Sequence, residues 1–273
     1  MDTSKRLPTI YIPHGGGPWH VMENAFDDGP GYERLRAYLV ELGDRYRNRV
    51  TSLLVISAHW EEPLPAIHFG RSPGMLYDYY GFPEFTYTLQ WPAPGAPELA
   101  ARIEELLGGA GIQTKREFER GYDHGLFVPM MLAFPEAKIP VAQLSLIRGL
   151  DPAAHYDLGA ALEPLRSEGV LIIGSGMSYH NMQGFFSGGP AVESASRRFD
   201  DWLAAAVAIE DPGQRRAALS QWKRAPGGLE SHPRSEHLVP LFIAAGAAGD
   251  DPGRREYSGM LMNAHIASHI FGA

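Results

Sequence analysis

Histidines placed where strands end are the first chemistry this chain offers. Residues Thr51 to Glu61 read TSLLVISAHWE. Leu53, Leu54, Val55 and Ile56 form the short apolar run of a strand covered on both faces, and the run leads to His59. The arrangement recurs twice. Thr9 to Gly17, TIYIPHGGG, runs into His14, and Val170 to Asn181, VLIIGSGMSYHN, passes a glycine turn to His180. Open α/β sheets keep their sites at the carboxyl ends of strands. One such histidine would merely hydrogen-bond at a strand end. Three predict a single site assembled from three loops, metal-binding or polar and catalytic, because each group must come from a rigid element.

Of the eleven histidines, His14, His59, His124, His180 and His237 each stand beside Gly, Ser, Asp or Glu at a loop or helix start. His20, His68, His155, His265 and His269 read as surface or packing residues, and His232 is a candidate only through its nearness to Ser235. The chain has no cysteine, which excludes disulfides, thiolate-held iron–sulfur clusters, thiolate zinc sites and a cysteine nucleophile. Any metal must use His, Asp, Glu or water. Neutral imidazole is the commonest protein ligand for such metals. Two histidines and a third ligand leave about three positions on six-coordinate iron, the requirement of a non-haem centre that binds substrate and oxygen together.

The elements that position these residues alternate. A helix with Tyr32, Leu35, Leu39, Leu42 and Tyr46 on one stripe is expected over Tyr32 to Tyr46, and another over Ala96 to Leu107, ended by Gly108 and Gly109. Ile112 to Phe118 and Ile139 to Leu146 read as strands. Further helices are expected over Asp151 to Ser167, Ser194 to Ile209, Pro212 to Trp222, and Ser235 to Ala245 with Ser235 as its cap. Glu62 to Gly95 is Pro- and aromatic-rich without helical period, the character of a segment that covers a site. Ala225 to Pro233 reads as a loop, and the tail after Arg254 is apolar but unevenly patterned. The fold class is therefore α/β: one domain spanning 1–273, with a central mixed, mostly parallel sheet flanked by helices on both faces.

Composition narrows the class further. In 273 residues the hydrophobic share is 44%, the charged share 21% and the net charge −8, the balance of a globular protein without a nucleic-acid or anionic-membrane partner. No apolar run is long enough to span a bilayer, and the first residues lack a signal-peptide core, so a cytoplasmic enzyme is the expectation.

Eight motifs run in one order over nearly the whole chain: PHGGGP (13–18), SAHW (57–60), YDYYGFP (77–83), WPAPG (91–95), DHG (123–125), IPVAQLSL (139–146), GSGMSYHN (174–181) and HPRSEHLVPL (232–241). Together they resemble the DOPA-dioxygenase-like branch of the class III extradiol ring-cleavage dioxygenases, relatives of the catalytic subunit of protocatechuate 4,5-dioxygenase. The resemblance implies that His14 and His59 bind Fe(II), with His237 as third ligand and Glu236 as the alternative. It implies that His180 is the acid–base group, able to complete the coordination sphere before substrate arrives, and that His124 lines the substrate and oxygen site. Asp78 and Tyr79 lie in the aromatic stretch that would wall a flat substrate; core packing or a contact within a homodimer is the other reading of that stretch. The implied partners are a small aromatic diol and O2, and the implied product is a ring-opened semialdehyde acid. Zn(II) is the metal that can replace iron in isolated or crystallised protein.

The chain departs from the branch after His14, where Gly15-Gly16-Gly17-Pro18 replaces a Gly-Ser-Pro turn. Glycine lets backbone approach a ligand closely, so the departure bears on substrate shape and DOPA is not carried over as substrate. No Gly-Lys-Ser/Thr follows for a phosphate loop, and no GxSxG elbow exists for a serine hydrolase. A zinc hydrolase and a non-catalytic metal-binding member of the fold remain as alternative functions.

Overall fold

The computed structural model describes residues 6–273. Its strands are β1 (Thr9–Pro13), β2 (Ser52–Glu62), β3 (Ala66–His68), β4 (Lys115–Glu117), β5 (Val141–Ile147), β6 (Val170–Gly176), β7 (Gly253–Leu261) and β8 (Ala264–Phe271). They form one eight-stranded sheet in the order β4-β3-β5-β2-β6-β1-β8-β7. The centre, β5-β2-β6-β1, is parallel, whereas β3 runs antiparallel to β5 and β8 antiparallel to both β1 and β7. This is the mixed α/β sheet expected from the alternation of strands and helices.

The helices are α1 (Gly29–Tyr46), α2 (Pro97–Gly109), α3 (His124–Ala133), α4 (Pro152–Ala161), α5 (Met182–Ser187), α6 (Pro190–Val207), α7 (Pro212–Ser220), α8 (Gly228–Ser231) and α9 (Val239–Ala247). Side chains alternate across each central strand, so each strand feeds two cores. Leu54, Ile56 and Ile172 pack with α2, α4 and α9. Leu53, Val55, Leu171 and Ile173 pack with α1, α3 and the aromatic stretch 77–93. Burial on both faces is why these strands read as unbroken apolar runs. No described helix is long and apolar enough to cross a membrane.

Several boundaries differ from expectation for local reasons. β2 does not stop at His59. It runs to Glu62, but its pairing with β5 jumps from Ile56↔Leu144 to Glu61↔Leu146, so Ser57 to Trp60 bulge out of register. Such bulges re-aim side chains. The short β3 and α5 have too few residues to show a period. The helix expected from Ser235 begins at Val239, and the Ser235 carbonyl instead accepts from Leu238 and Val239 amides in a turn. The C-terminal tail is a hairpin whose turn residues, Met262 and Asn263, both have positive φ; hairpin turns of this kind are more usually announced by glycine.

Candidate metal centre and its flanking histidines

β1, β2 and β6 point their carboxyl ends to one rim, and α9 packs beneath it. His14 follows β1, His59 sits in the β2 bulge, and His237 occupies the turn before α9. The three bring one ring nitrogen each into a single group. His59 Nε2 lies 3.3 Å from His14 Nε2 and 3.2 Å from His237 Nε2.

The outer nitrogens reveal the tautomers. His14 Nδ1 faces the Gly15 carbonyl at 2.7 Å. His59 Nδ1 faces Asp78 Oδ2 at 3.3 Å, and His237 Nδ1 faces Glu236 Oε1 at 2.9 Å. A carbonyl or carboxylate only accepts, so each Nδ1 carries the proton and each Nε2 presents a lone pair inward. Three lone pairs converging at hydrogen-bond distance leave no donor between them. A metal cation resolves that arrangement, and backing of the outer nitrogen is how ligating histidines are held. Burial, reinforced by the neighbouring histidines, pushes all three imidazoles well below their ordinary pKa, keeping them neutral as ligation requires. The donor set therefore fits a metal.

Two further histidines flank the trio. His124, first residue of α3, donates from Nδ1 to Asp78 Oδ1 at 2.8 Å and from its backbone amide to the same oxygen at 2.9 Å. His180 lies flat on His237, ring centroids 3.4 Å apart and planes 14° from parallel. Its Nδ1 is 3.3 Å from Glu236 Oε1. His180 thus groups with Glu236 and His237 rather than with His14 and His59. Glu236, the alternative ligand, faces the outer nitrogens of His237 and His180. Each carboxylate joins one histidine of the trio to one outside it. Burial pushes the Asp78 carboxyl up, but the side-chain and backbone hydrogen bonds from His124 and the nearness of the His124 and His59 rings outweigh it and bring it down to about 2.

Asp78 and Tyr79, expected in the wall around a flat substrate, are both held by neighbouring residues of the protein. Both Asp78 oxygens are engaged by histidines. Tyr79 is buried, donates its hydroxyl to the Thr86 carbonyl at 2.5 Å and packs edge-on behind His124. His232 is fully buried and holds the Ser178 carbonyl at 2.9 Å, away from the trio. His155 likewise joins the Ile147 amide to the Asp151 carbonyl.

Residues that sequence reasoning passed over hold the frame. The buried Asp123 accepts from Ser57 Oγ at 2.6 Å and Arg120 Nη2 at 2.9 Å, while Arg120 also donates to the His59 carbonyl at 3.1 Å. That network clamps the bulge. A side chain on Gly125 would collide with Ser57 and the His59 ring, which accounts for the glycine after His124. On the other side, Tyr11 Oη donates to the His237 carbonyl at 2.6 Å, and the Met177 amide donates to it at 3.0 Å. A Cβ on Gly176 would strike that same carbonyl. The Asp before His124 and the glycines of GSG were visible signals; Tyr11 left none, since its position reads as ordinary strand core.

Comparison with known proteins agrees with this geometry. Residues 7–271 match the family described as the catalytic LigB subunit of aromatic ring-opening dioxygenase. The chain is 39% identical to a Beta vulgaris protein named 4,5-DOPA dioxygenase extradiol, over 89% of this chain and 87% of that one. It is 34% identical to the dioxygenase tasH of Hapsidospora irregularis, over 97% and 85%. Its fold superposes on the crystal structure of an uncharacterised Escherichia coli K12 protein with TM-score 0.77 at 28% identity, covering 97% of this chain and 99% of that one.

Proposed function

Because the chain belongs to the family of the catalytic subunit of aromatic ring-opening dioxygenases, we propose that it is an extradiol dioxygenase that opens a catechol-type ring. The carbon–carbon bond beside the diol breaks and both atoms of O2 enter the product, an aldehyde at one new terminus and a carboxylic acid at the other. His14, His59 and His237 would hold the metal, with Fe(II) as the working ion. When bound, it supplies a Lewis acid that lowers the pKa of the diol hydroxyls and a redox centre linking ring and oxygen.

The remaining chemistry falls to proton-handling groups of the chain. His180 takes the diol proton at Nε2, while Glu236 holds its Nδ1–H and stabilises the imidazolium that forms. His124, fixed by Asp78 through both side chain and backbone, offers Nε2 from the other flank and returns a proton to oxygen during ring opening. The aromatic group Tyr77, Tyr79, Phe82 and Tyr87 packs behind His124 and keeps water from it. The observation that carries this reading is the converging Nε2 trio flanked by two more histidines, each tied by a carboxylate to a trio member. A centre that only binds metal has no use for the flanking pair.

The test is anaerobic loading with Fe(II), then air and a catechol panel, recording oxygen uptake and the yellow ring-fission product. One O2 consumed per catechol is expected, abolished in His59→Ala together with metal binding. Loaded protein that takes up no oxygen with any catechol would overturn the reading and favour a zinc hydrolase or a binding protein built on the same histidines.

A further inference from the structure

A cleft opens beside His180. Its wall is formed by the Gly15–Gly16 backbone, His180 and the apolar side chains of Phe26, Met177, Phe185, Phe186, Leu261 and Met262. Its empty volume, open mouth included, is about 360 Å³. Gly15 follows the trio residue His14, and His180 stacks on His237, so the cleft adjoins the metal centre.

The chemistry of this wall is uniform. Among the described residues, no Lys, Arg, Asp or Glu lines it. Its one hydroxyl, that of Tyr32, points at Met262 Sδ, 3.6 Å away. Asp28 stands behind Met262 and accepts from its amide at 2.7 Å, while Arg34 reaches the same hairpin from outside, at the Met260 carbonyl. The two opposite charges hold the hairpin from behind and outside, and neither reaches the wall. At the rim, Phe186 is 66% exposed and Met182 51%. Both belong to α5, a short helix carried between Asn181 and the Gly188–Gly189 pair, and exposed large apolar side chains gathered at a cleft mark a binding surface.

Resting on the ring-opening reading, we infer that the substrate is a catechol carrying an uncharged apolar substituent, alkyl or aryl, which lies in this cleft and covers Phe186 and Met182. A carboxylate or amino-acid substituent lying against the Phe185, Phe186 and Leu261 side chains, beyond His180, loses its water without gaining a partner. An alkyl chain gains contact along its length, and a single methylene in an apolar pocket is worth roughly tenfold or more in selectivity.

The experiment compares 4-butylcatechol, catechol, 3,4-dihydroxyphenylacetate and L-DOPA in two ways: kcat/KM for oxygen uptake by the Fe(II)-loaded enzyme, and Kd from anaerobic titration of the zinc-loaded protein. Butylcatechol is expected to exceed catechol at least about tenfold in both, with the carboxylate-bearing compounds last. Phe186→Ser should lower the butylcatechol-to-catechol ratio several-fold. Met182→Arg should raise dihydroxyphenylacetate relative to butylcatechol. Oxygen uptake that favours the carboxylates, or is indifferent to the butyl group, overturns this inference and leaves ring opening standing. A butylcatechol preference in Kd without oxygen uptake for any compound leaves the cleft assignment standing and overturns ring opening.

Discussion

Asp78 and Glu236 perform the same task on opposite sides of the trio, in different surroundings. Asp78 divides the work between its oxygens: Oδ1 takes His124 Nδ1 and the His124 amide, and Oδ2 faces His59. Glu236 uses one oxygen, Oε1, for both His237 and His180. Its other oxygen faces the surface residue Arg234 at 3.3 Å. The His124 side chain is 9% exposed and that of His180 22%. Of the two flanking histidines, His124 is thus the closed, over-determined one and His180 the looser and more exposed, although Asp78 and His59, at 18% and 21%, are themselves more exposed than Glu236 and His237, at 12% and 5%. In the proposed reaction a proton taken from substrate must eventually leave the protein, and His180 is the flanking histidine with the wider exit. The doubly held His124 is suited to holding geometry while the ring opens.

Substituting the flanking histidines should produce the largest effects. In the proposed reaction His180 takes the diol proton, so His180→Gln should lower kcat by roughly 10²–10⁴-fold, with zinc or iron content unchanged. His124→Gln should lower kcat too, again without metal loss. If either variant loses its metal, that histidine is a ligand rather than a proton carrier, and the two-sided picture fails there. Next come the carboxylates. Asp78→Ala and Glu236→Ala should each weaken metal affinity by about 10–100-fold, as loss of a group backing a ligand does, with Asp78→Ala the worse because it also frees the start of α3. Competition titration with a zinc chelator measures this, and equal affinities would remove the asymmetry.

Much of this arrangement was legible in the sequence. β2 and β6 announced themselves as apolar runs because they are buried on both faces, and His14, His59 and His180 were conspicuous at the ends of such runs. The pairing of Asp78 with His59 and His124 was not legible. It joins segments 19 and 46 residues away, and no periodicity reports a contact between a loop carboxylate and a strand bulge. The stretch holding Asp78 and Tyr79 reads equally as substrate wall and as packing, because an aromatic loop near a site can face either way. Ser235 resembles a helix cap in the sequence, but its carbonyl closes a turn that carries Glu236 and His237, and α9 starts only at Val239.

The partnered histidines of the site contrast with His269, buried against Tyr11 with neither ring nitrogen hydrogen-bonded among the described residues. Burial, with Arg255 adding to it, lowers its pKa from 6.5 to about 3. Between those values the unfolded chain binds a proton that the folded chain refuses, so His269 costs nothing above pH 6.5 and costs stability as pH falls below it. At pH 5.5 the cost is about 1 kcal/mol. Urea unfolding of wild type and His269→Phe at pH 5.5 and 7.5 should show the variant losing less stability on acidification; equal losses would mean the imidazole finds a partner.

The smallest effect belongs to Arg234. Its side chain is 58% exposed and it pairs with both Glu61 and Glu236, the exposed kind of ion pair that contributes at most about 1 kcal/mol. Arg234→Ala should leave the folded state nearly as stable and metal affinity within a few-fold of wild type, because Oε1, not the oxygen Arg234 approaches, backs His237 and His180. If Arg234→Ala instead matched Glu236→Ala in metal affinity, Glu236 would depend on its surface partner to keep its place. The Glu236 side would then be set by a surface ion pair rather than by the histidines, and metal binding should weaken with added salt.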